Sequence, residues 1–353
     1  VMKHAADEDI AALPAGLVER SRIIRRSDAP MRGEFVLYWM HHAVRGHENP
    51  ALDVAILEGN RLGLPVLVYQ GLNGHHRYNS DRHHTFILEG ARDAHRELTT
   101  LGVRAVFQLD KAEGRRSRLH ELAARAALLV VEDYPAPPFK RWTKRLSDAV
   151  ACPVIAVDCA CIVPVRLQPK RFDRAFEFRR HNQADFDARV RLPWHPVRAD
   201  RPAFDGNIGF EALDLQRIDI AATCADCAID HSVPPVPDSP GGSAAGYHRW
   251  QSFLQHGLSG YARDRNDAAK DWPLGVSRLS PYLHHGHVSP FRIAREAAAA
   301  GGEGSVKFLD ELLVWRELAF NFCFFTDDPE SLSALPAWAR ATLDERAKDM
   351  RPR

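Results

Sequence analysis

From Phe35 onward, short uninterrupted apolar runs alternate with longer stretches whose apolar positions recur every three to four residues. Continuous apolar runs of strand length predict strands buried on both faces, and the longer period predicts helices with one buried face. On this pattern strands fall near 35–40, 65–69, 103–109, 127–132 and 153–157. Helices fall over 50–62, opened by Asn49-Pro50, and over 81–101, capped by Ser80 and closed by Gly102, with others near 115–126 and 138–150. Such alternation predicts a doubly wound, Rossmann-like parallel sheet. The first strand is followed by Met40-His-His-Ala-Val-Arg-Gly46 rather than Gly-x-Gly-x-x-Gly, so no dinucleotide is expected in the usual position at that turn.

Residues 1–33 are polar and irregular and read as an N-terminal arm, leaving 34–165 for the α/β domain. The charged, proline-containing stretch 166–246 has no strong period and predicts an interdomain connection with short helices, ending in a Pro/Gly/Ser-rich boundary over 231–246. From Tyr247 helical periodicity takes over, so the fold class is α/β followed by all-α over 247–353. Helix starts are marked by Ser280-Pro281 and Ser289-Pro290. The run Phe308–Phe325 is apolar on nearly every face, which places it inside the helical domain.

Two segments of that domain carry candidate chemistry. At Val276-Ser-Arg-Leu-Ser-Pro-Tyr282, a helix N-terminus capped by Ser280 would bring free N–H groups and a positive dipole end together with Ser277 and Arg278. That suits a diphosphate, and it equally suits an ordinary capped helix. In Phe308–Phe325, Glu311 and Trp315 stand one turn apart, setting a carboxylate beside an indole on one wall. The competing reading is an internal salt bridge of Glu311 or Glu317 with Arg316 beside a core tryptophan.

Charge adds little, because 47 basic and 46 acidic residues leave a formal net charge of +1 and no global basic footprint. Six irregularly spaced cysteines, no signal peptide and no apolar run of membrane length point to a reduced, cytoplasmic protein without a membrane partner. No metal site is assigned. Cys224-Ala-Asp-Cys227 with His231 lacks the second pair that a structural zinc normally needs. Adjacent side chains on a helix diverge, so the paired histidines at 41–42, 75–76, 83–84 and 284–285 are expected to be poor chelators on solvated faces and loops.

The wording of several collinear segments resembles the photolyase/cryptochrome family, nearest to the class II cyclobutane pyrimidine dimer photolyases. These segments are Phe35-Val-Leu-Tyr-Trp-Met40, Glu48-Asn-Pro-Ala-Leu52, Gly63-Leu-Pro-Val-Leu-Val-Tyr69, Gly260-Tyr-Ala-Arg-Asp-Arg-Asn-Asp267 and Ser277-Arg-Leu-Ser-Pro-Tyr-Leu-His284. Glu311-Leu-Leu-Val-Trp-Arg-Glu-Leu318, Asn321-Phe-Cys323 and Pro336-Ala-Trp-Ala-Arg-Ala-Thr-Leu343 complete the set, while roughly 165–235 matches poorly.

The resemblance implies a helical domain that binds FAD, with Tyr261, Ser277, Arg278, Leu279 and Ser280 at its phosphate and ribose portion and Phe308 beside it. It implies that Glu311 hydrogen-bonds a flipped pyrimidine dimer, that Trp315 packs on the lesion, and that Arg265 and Arg316 meet the DNA. The implied activity is light-driven, carbon-carbon lyase repair by a monomer acting on damaged DNA, with room for an antenna chromophore of unspecified identity. A cryptochrome-like photoreceptor without repair and an inactive α/β scaffold are the rival readings. Because the family's helical domain continues beyond the position matching Arg353, the chain is expected to be a truncated form with an incomplete FAD-binding domain. Alone, it is expected to hold FAD weakly and to repair nothing.

Overall fold

Six strands form one sheet in the order β1-β6-β5-β2-β3-β4, in a computed structural model that describes residues 12–27, 32–76, 78–111 and 117–350. The strands are β1 (Ser21–Arg25), β2 (Phe35–Trp39), β3 (Val66–Asn73), β4 (Arg104–Asp110), β5 (Ala126–Glu132) and β6 (Val154–Val157). Every residue of β2, β5 and β6 is buried. Each fully buried Val or Leu contributes roughly 1.5–3 kcal/mol, which makes these continuous apolar runs the centre of the sheet.

Strands β2 to β6 are parallel, as the alternation predicts, but β1 pairs antiparallel with β6. Within the stretch read as an arm, residues 21–25 therefore form the sheet's edge. Their pattern Ser-Arg-Ile-Ile-Arg is half-buried and too short and charged to announce itself as a strand. Residues 1–11 and 28–31 lie outside the described residues.

The helix Pro50–Leu62 opens on Asn49, whose side chain accepts from Ala51 and Leu52 N–H, and closes on Gly63 at φ +69°. Ser80 precedes the helix Asp81–Thr100 without making a side-chain cap bond. The helix expected over 115–126 is limited to Leu119–Ala123 among the described residues.

The interdomain connection contains more structure than its weak period suggests. Its helix Ala175–Arg189 buries Phe178 and Phe186 in the same cluster as Trp250, Phe253 and Phe308, so it belongs to the helical body. Phe204 and Ile208 instead pack on the apolar face formed by Phe35, Leu37 and Leu129. The predicted helix 308–325 starts at Gly302 and runs through a π-helical turn, Asp310–Trp315, into Arg316–Phe324. Among the described residues no helix is long and apolar enough to cross a membrane.

Candidate flavin and lesion site

Where the carboxyl ends of β2 and β5 meet the helical body lies a cavity of about 470 Å³, and Tyr261, Ser277, Leu279, Ser280, Phe308 and Glu311 contribute to its walls. The structure thus brings together these six of the positions singled out in the sequence, and Arg316 with them. Phe308 is buried, with its ring centroid 5.3 Å from Trp250 and 5.6 Å from both Phe253 and Tyr261. These four rings form one aromatic wall. Burial raises the Tyr261 phenol above its ordinary pKa, which keeps the hydroxyl neutral.

The turn at 277–280 differs in detail from its expected form. Leu279, not Ser280, occupies the position before the helix Ser280–His284, and no side chain caps it. The Ser277 hydroxyl accepts instead from Leu279 N–H at 3.4 Å, leaving the Ser280 hydroxyl on the cavity wall. Arg278 adopts φ +52° and turns its guanidinium out toward Asp238, 3.4 Å away. It does not line the cavity.

The π-helical turn sets the acid and the indole. One extra residue in a turn marks many functional sites, because it re-aims the side chains that follow. Glu311 lies on the cavity wall, with its carboxylate 2.7 Å from Lys307 Nζ and 3.7 Å from Arg265 Nε. Asp310 accepts from Arg179 and Lys307; burial raises its pKa, but these two cations outweigh that and hold it low. Trp315 is 51% exposed and does not line the cavity, so it is not a core tryptophan. Its indole presents an exposed apolar surface.

Arg316 is half-buried. It lines the cavity, donates to Ala160 O at 2.8 Å and lies 4.9 Å over the Phe320 ring. It pairs with neither glutamate named in the competing reading. Glu317 points the other way, fully buried, and accepts from Ile162 N–H at 2.6 Å and Val163 N–H at 3.4 Å. Burial pushes its carboxyl up to about 8.

Sequence reasoning missed Arg45. Its side chain is completely buried and reaches the cavity, yet it donates only to the carbonyls of Glu48, Gly286 and Cys159. Among the described residues neither Arg45 nor Arg316 makes an ion pair. Two guanidinium groups bonded to neutral oxygens leave the cavity electropositive, which fits an anionic cofactor such as a diphosphate. The only signal was its place in the turn after β2, where the glycine-rich pattern was absent.

The histidine pairs also require correction. His41, His42 and His84 are not solvated: His41 has 6% of its side chain exposed, His84 is fully buried, and His42 stacks on Tyr134 with centroids 3.7 Å apart. Burial, with His41 beside it, drives the His42 ring well below its ordinary pKa. His285 is pushed down to about 3 by burial and by His284. His41 and His42 lie in the turn after β2, where the helix-based argument for divergence does not apply, whereas His84 is on the buried face of the helix Asp81–Thr100. Cys224 and Cys227 are buried free thiols, and His231 bonds Asp81 at 2.9 Å.

A profile described as DNA photolyase matches residues 36–193. The chain is 31% identical over 336 residues to the deoxyribodipyrimidine photo-lyase of Methanothermobacter thermautotrophicus, covering 94% of this chain and 71% of that one. It is 28% identical over 326 residues to the deoxyribodipyrimidine photo-lyase of Arabidopsis thaliana, covering 90% of this chain but 64% of the relative. Among solved structures, an archaeal photolyase from Sulfolobus tokodaii with two FAD molecules superposes with a TM-score of 0.56 at 15% identity, over 82% of this chain and 60% of that one. The last of these establishes a shared fold, and the identity sustained across both the sheet and the helical body goes further: this chain belongs to the DNA photolyase family.

Proposed function

We propose that the gene product containing these residues binds FAD non-covalently and uses light to split cyclobutane pyrimidine dimers in DNA. The observation that carries this reading is the placement of Glu311 on the wall of an aromatic cavity that Arg45 and Arg316 also line, in the same π-helical turn as the exposed Trp315. The names of the relatives, which are deoxyribodipyrimidine photo-lyases, support the reaction.

FAD, when bound and reduced, supplies the photoexcited electron that opens the cyclobutane ring. Arg45 and the 277–280 turn would hold its anionic portion, and Tyr261 and Phe308 would pack against it. Glu311, its carboxylate fixed by Lys307 and Arg265, would accept a hydrogen bond from an N–H of a base extruded from the duplex, and the two cations would offset the negative charge that develops on that base. Trp315 offers its exposed indole as a stacking surface for the unpaired bases. Arg265, 3.7 Å from Glu311, is the DNA-facing cation of this reading; Arg316, bonded to Ala160 O inside the cavity, serves the cofactor side instead.

A second cavity of about 400 Å³ at the sheet's carboxyl edge includes Trp39, Tyr69, Trp142 and Arg145 in its lining, and it is the place proposed for an antenna chromophore. Six free cysteines support a reducing, cytoplasmic setting, and the protein is proposed to act as a monomer. The test is to purify the gene product with FAD, add DNA carrying pyrimidine dimers and measure dimers remaining after illumination and after darkness. Light-dependent loss supports the reading; bound flavin with unchanged dimers would replace repair with a photoreceptor role.

A further inference from the structure

The sheet changes direction at β2. From it the chain runs outward through β3 and β4, then returns to the other side of β2 for β5 and β6. The crevice at the carboxyl ends of β2 and β5 is therefore the topological switch point, where open α/β sheets place their ligands. In this chain the crevice holds His41 and His42, which follow β2, and Glu132, the last residue of β5.

These three side chains converge. His41 Nδ1 and His42 Nδ1 are 2.7 Å apart, and His41 Nδ1 is 3.5 Å from Glu132 Oε2. One ligand atom from each residue lies within 4.8 Å of the other two, a span that small side-chain rotations bring to the roughly 2.0–2.2 Å bonds of an ion with nitrogen and oxygen ligands.

The surrounding groups hold this arrangement in place. Glu132 accepts from Tyr38 Oη at 2.8 Å, from His41 N–H at 2.9 Å and from His42 N–H at 2.7 Å. Its side chain is 2% exposed. The His41 ring stacks on Phe139 at 4.5 Å, and the His42 ring stacks on Tyr134 at 3.7 Å. His41 Nε2 has no hydrogen-bond partner, so stacking fixes the ring while nothing commits its tautomer. Hydrogen bonds that hold a ligating carboxylate belong to the usual supporting shell of a metal centre; Glu132 has them, and the rings are held by stacking instead of by a bond at the second nitrogen.

We infer that His41, His42 and Glu132 form a binding site for a divalent transition-metal ion of borderline softness, with Zn²⁺ the best match. Two imidazoles and one carboxylate are a three-ligand set that leaves a fourth, tetrahedral position open. Without metal, one proton bridges the two Nδ1 atoms. The ion takes its place, the donor ring shifts to its Nε2–H tautomer, and no net proton is lost. His42 also lines the large interdomain cavity, so the ion and any ligand in that cavity share a wall. The site does not depend on the assignment of flavin or lesion.

The test uses flavin-free protein stripped of metal with a chelator and titrated with Co²⁺, which reports nitrogen and oxygen ligation through its visible ligand-field bands. The expected result is a band saturating at one ion per chain, displaced by Zn²⁺, and weakened at least tenfold in both His41→Ala and His42→Ala. Glu132→Gln is less suitable because the carboxylate also ties down the turn. His231→Ala, at the separate cysteine-rich corner, is expected to leave the band intact. A circular dichroism spectrum unchanged in His42→Ala shows that the turn still folds. Absence of the band, or a band that survives both histidine substitutions, overturns the site.

Discussion

Lys307 Nζ sits 2.7 Å from the carboxylate of Glu311, one turn along the same helix, and 2.9 Å from that of Asp310. The acid assigned to the lesion is thus held in a fixed ion pair before DNA arrives. On the proposed function, Glu311→Ala removes a hydrogen bond involving a charged group, worth about 1.5–3 kcal/mol, and about 1.4 kcal/mol corresponds to a factor of ten in rate. Repair yield per absorbed photon is expected to fall at least tenfold, while flavin retained through gel filtration stays unchanged. Full repair by the alanine variant would remove Glu311 from the reaction.

Ser277 and Ser280 give a second, independent measurement. Neither caps the helix Ser280–His284, so their loss should leave folding nearly untouched while removing two hydroxyls from the cavity wall. The double variant Ser277→Ala/Ser280→Ala is expected to retain less FAD at an unaltered unfolding temperature. Equal flavin content in variant and parent would reduce the turn to a structural bend.

Glu317 makes a pH prediction. Its carboxyl is pushed up to about 8, first by burial, against an ordinary value of 4.5. A raised acid contributes stability that is complete below its unfolded pKa and is lost as pH climbs toward the folded one, on the order of a few kcal/mol in all. Asp53, raised to about 7 chiefly by burial, acts in the same direction. The parent's unfolding temperature is expected to decline from pH 5 to pH 9, and Glu317→Gln, which cannot ionise, is expected to decline less. Identical slopes in both proteins would mean that Glu317 does not titrate in this range.

How much of this was legible in the sequence varies with the kind of signal. The buried strands declared themselves because runs such as Ala126–Glu132 are apolar on both faces. Glu311, Phe308 and the 277–280 turn were readable as residue types at fixed spacing. Strand β1 was not, because its partner β6 lies more than a hundred residues away and Ser-Arg-Ile-Ile-Arg has no strong period of its own. The helix Ala175–Arg189 was obscured for a related reason: it buries few apolar positions, chiefly Phe178 and Phe186, amid charges. The contacts of His41 and His42 with Glu132 were invisible because they arise from the crossover that returns β5 to the side of β2, and those of Arg45 because its partners Cys159 and Gly286 lie far along the chain. Spacing along the chain cannot express a contact between the ends of two parallel strands.

The junction between the two domains yields the last prediction. Gly286 adopts φ +69°, and a Cβ placed there would lie 1.9 Å from His42 O and 2.6 Å from Ala43 Cα. Its own carbonyl accepts from Arg45 Nη1 at 2.9 Å. Gly286→Ala therefore adds a left-handed strain of about 1–2 kcal/mol to a collision with backbone that no side-chain rotation relieves. Gly102 isolates the first term, since it has φ +72° but nothing within 4 Å of the added methyl. Gly102→Ala is expected to cost only the strain, whereas Gly286→Ala should cost clearly more and also loosen flavin by displacing the turn that carries Arg45. Denaturant unfolding of the two variants, with bound flavin measured alongside, decides the point. If both lose equal stability and both keep their flavin, the close approach of residues 42 and 286 does not hold the two domains in register.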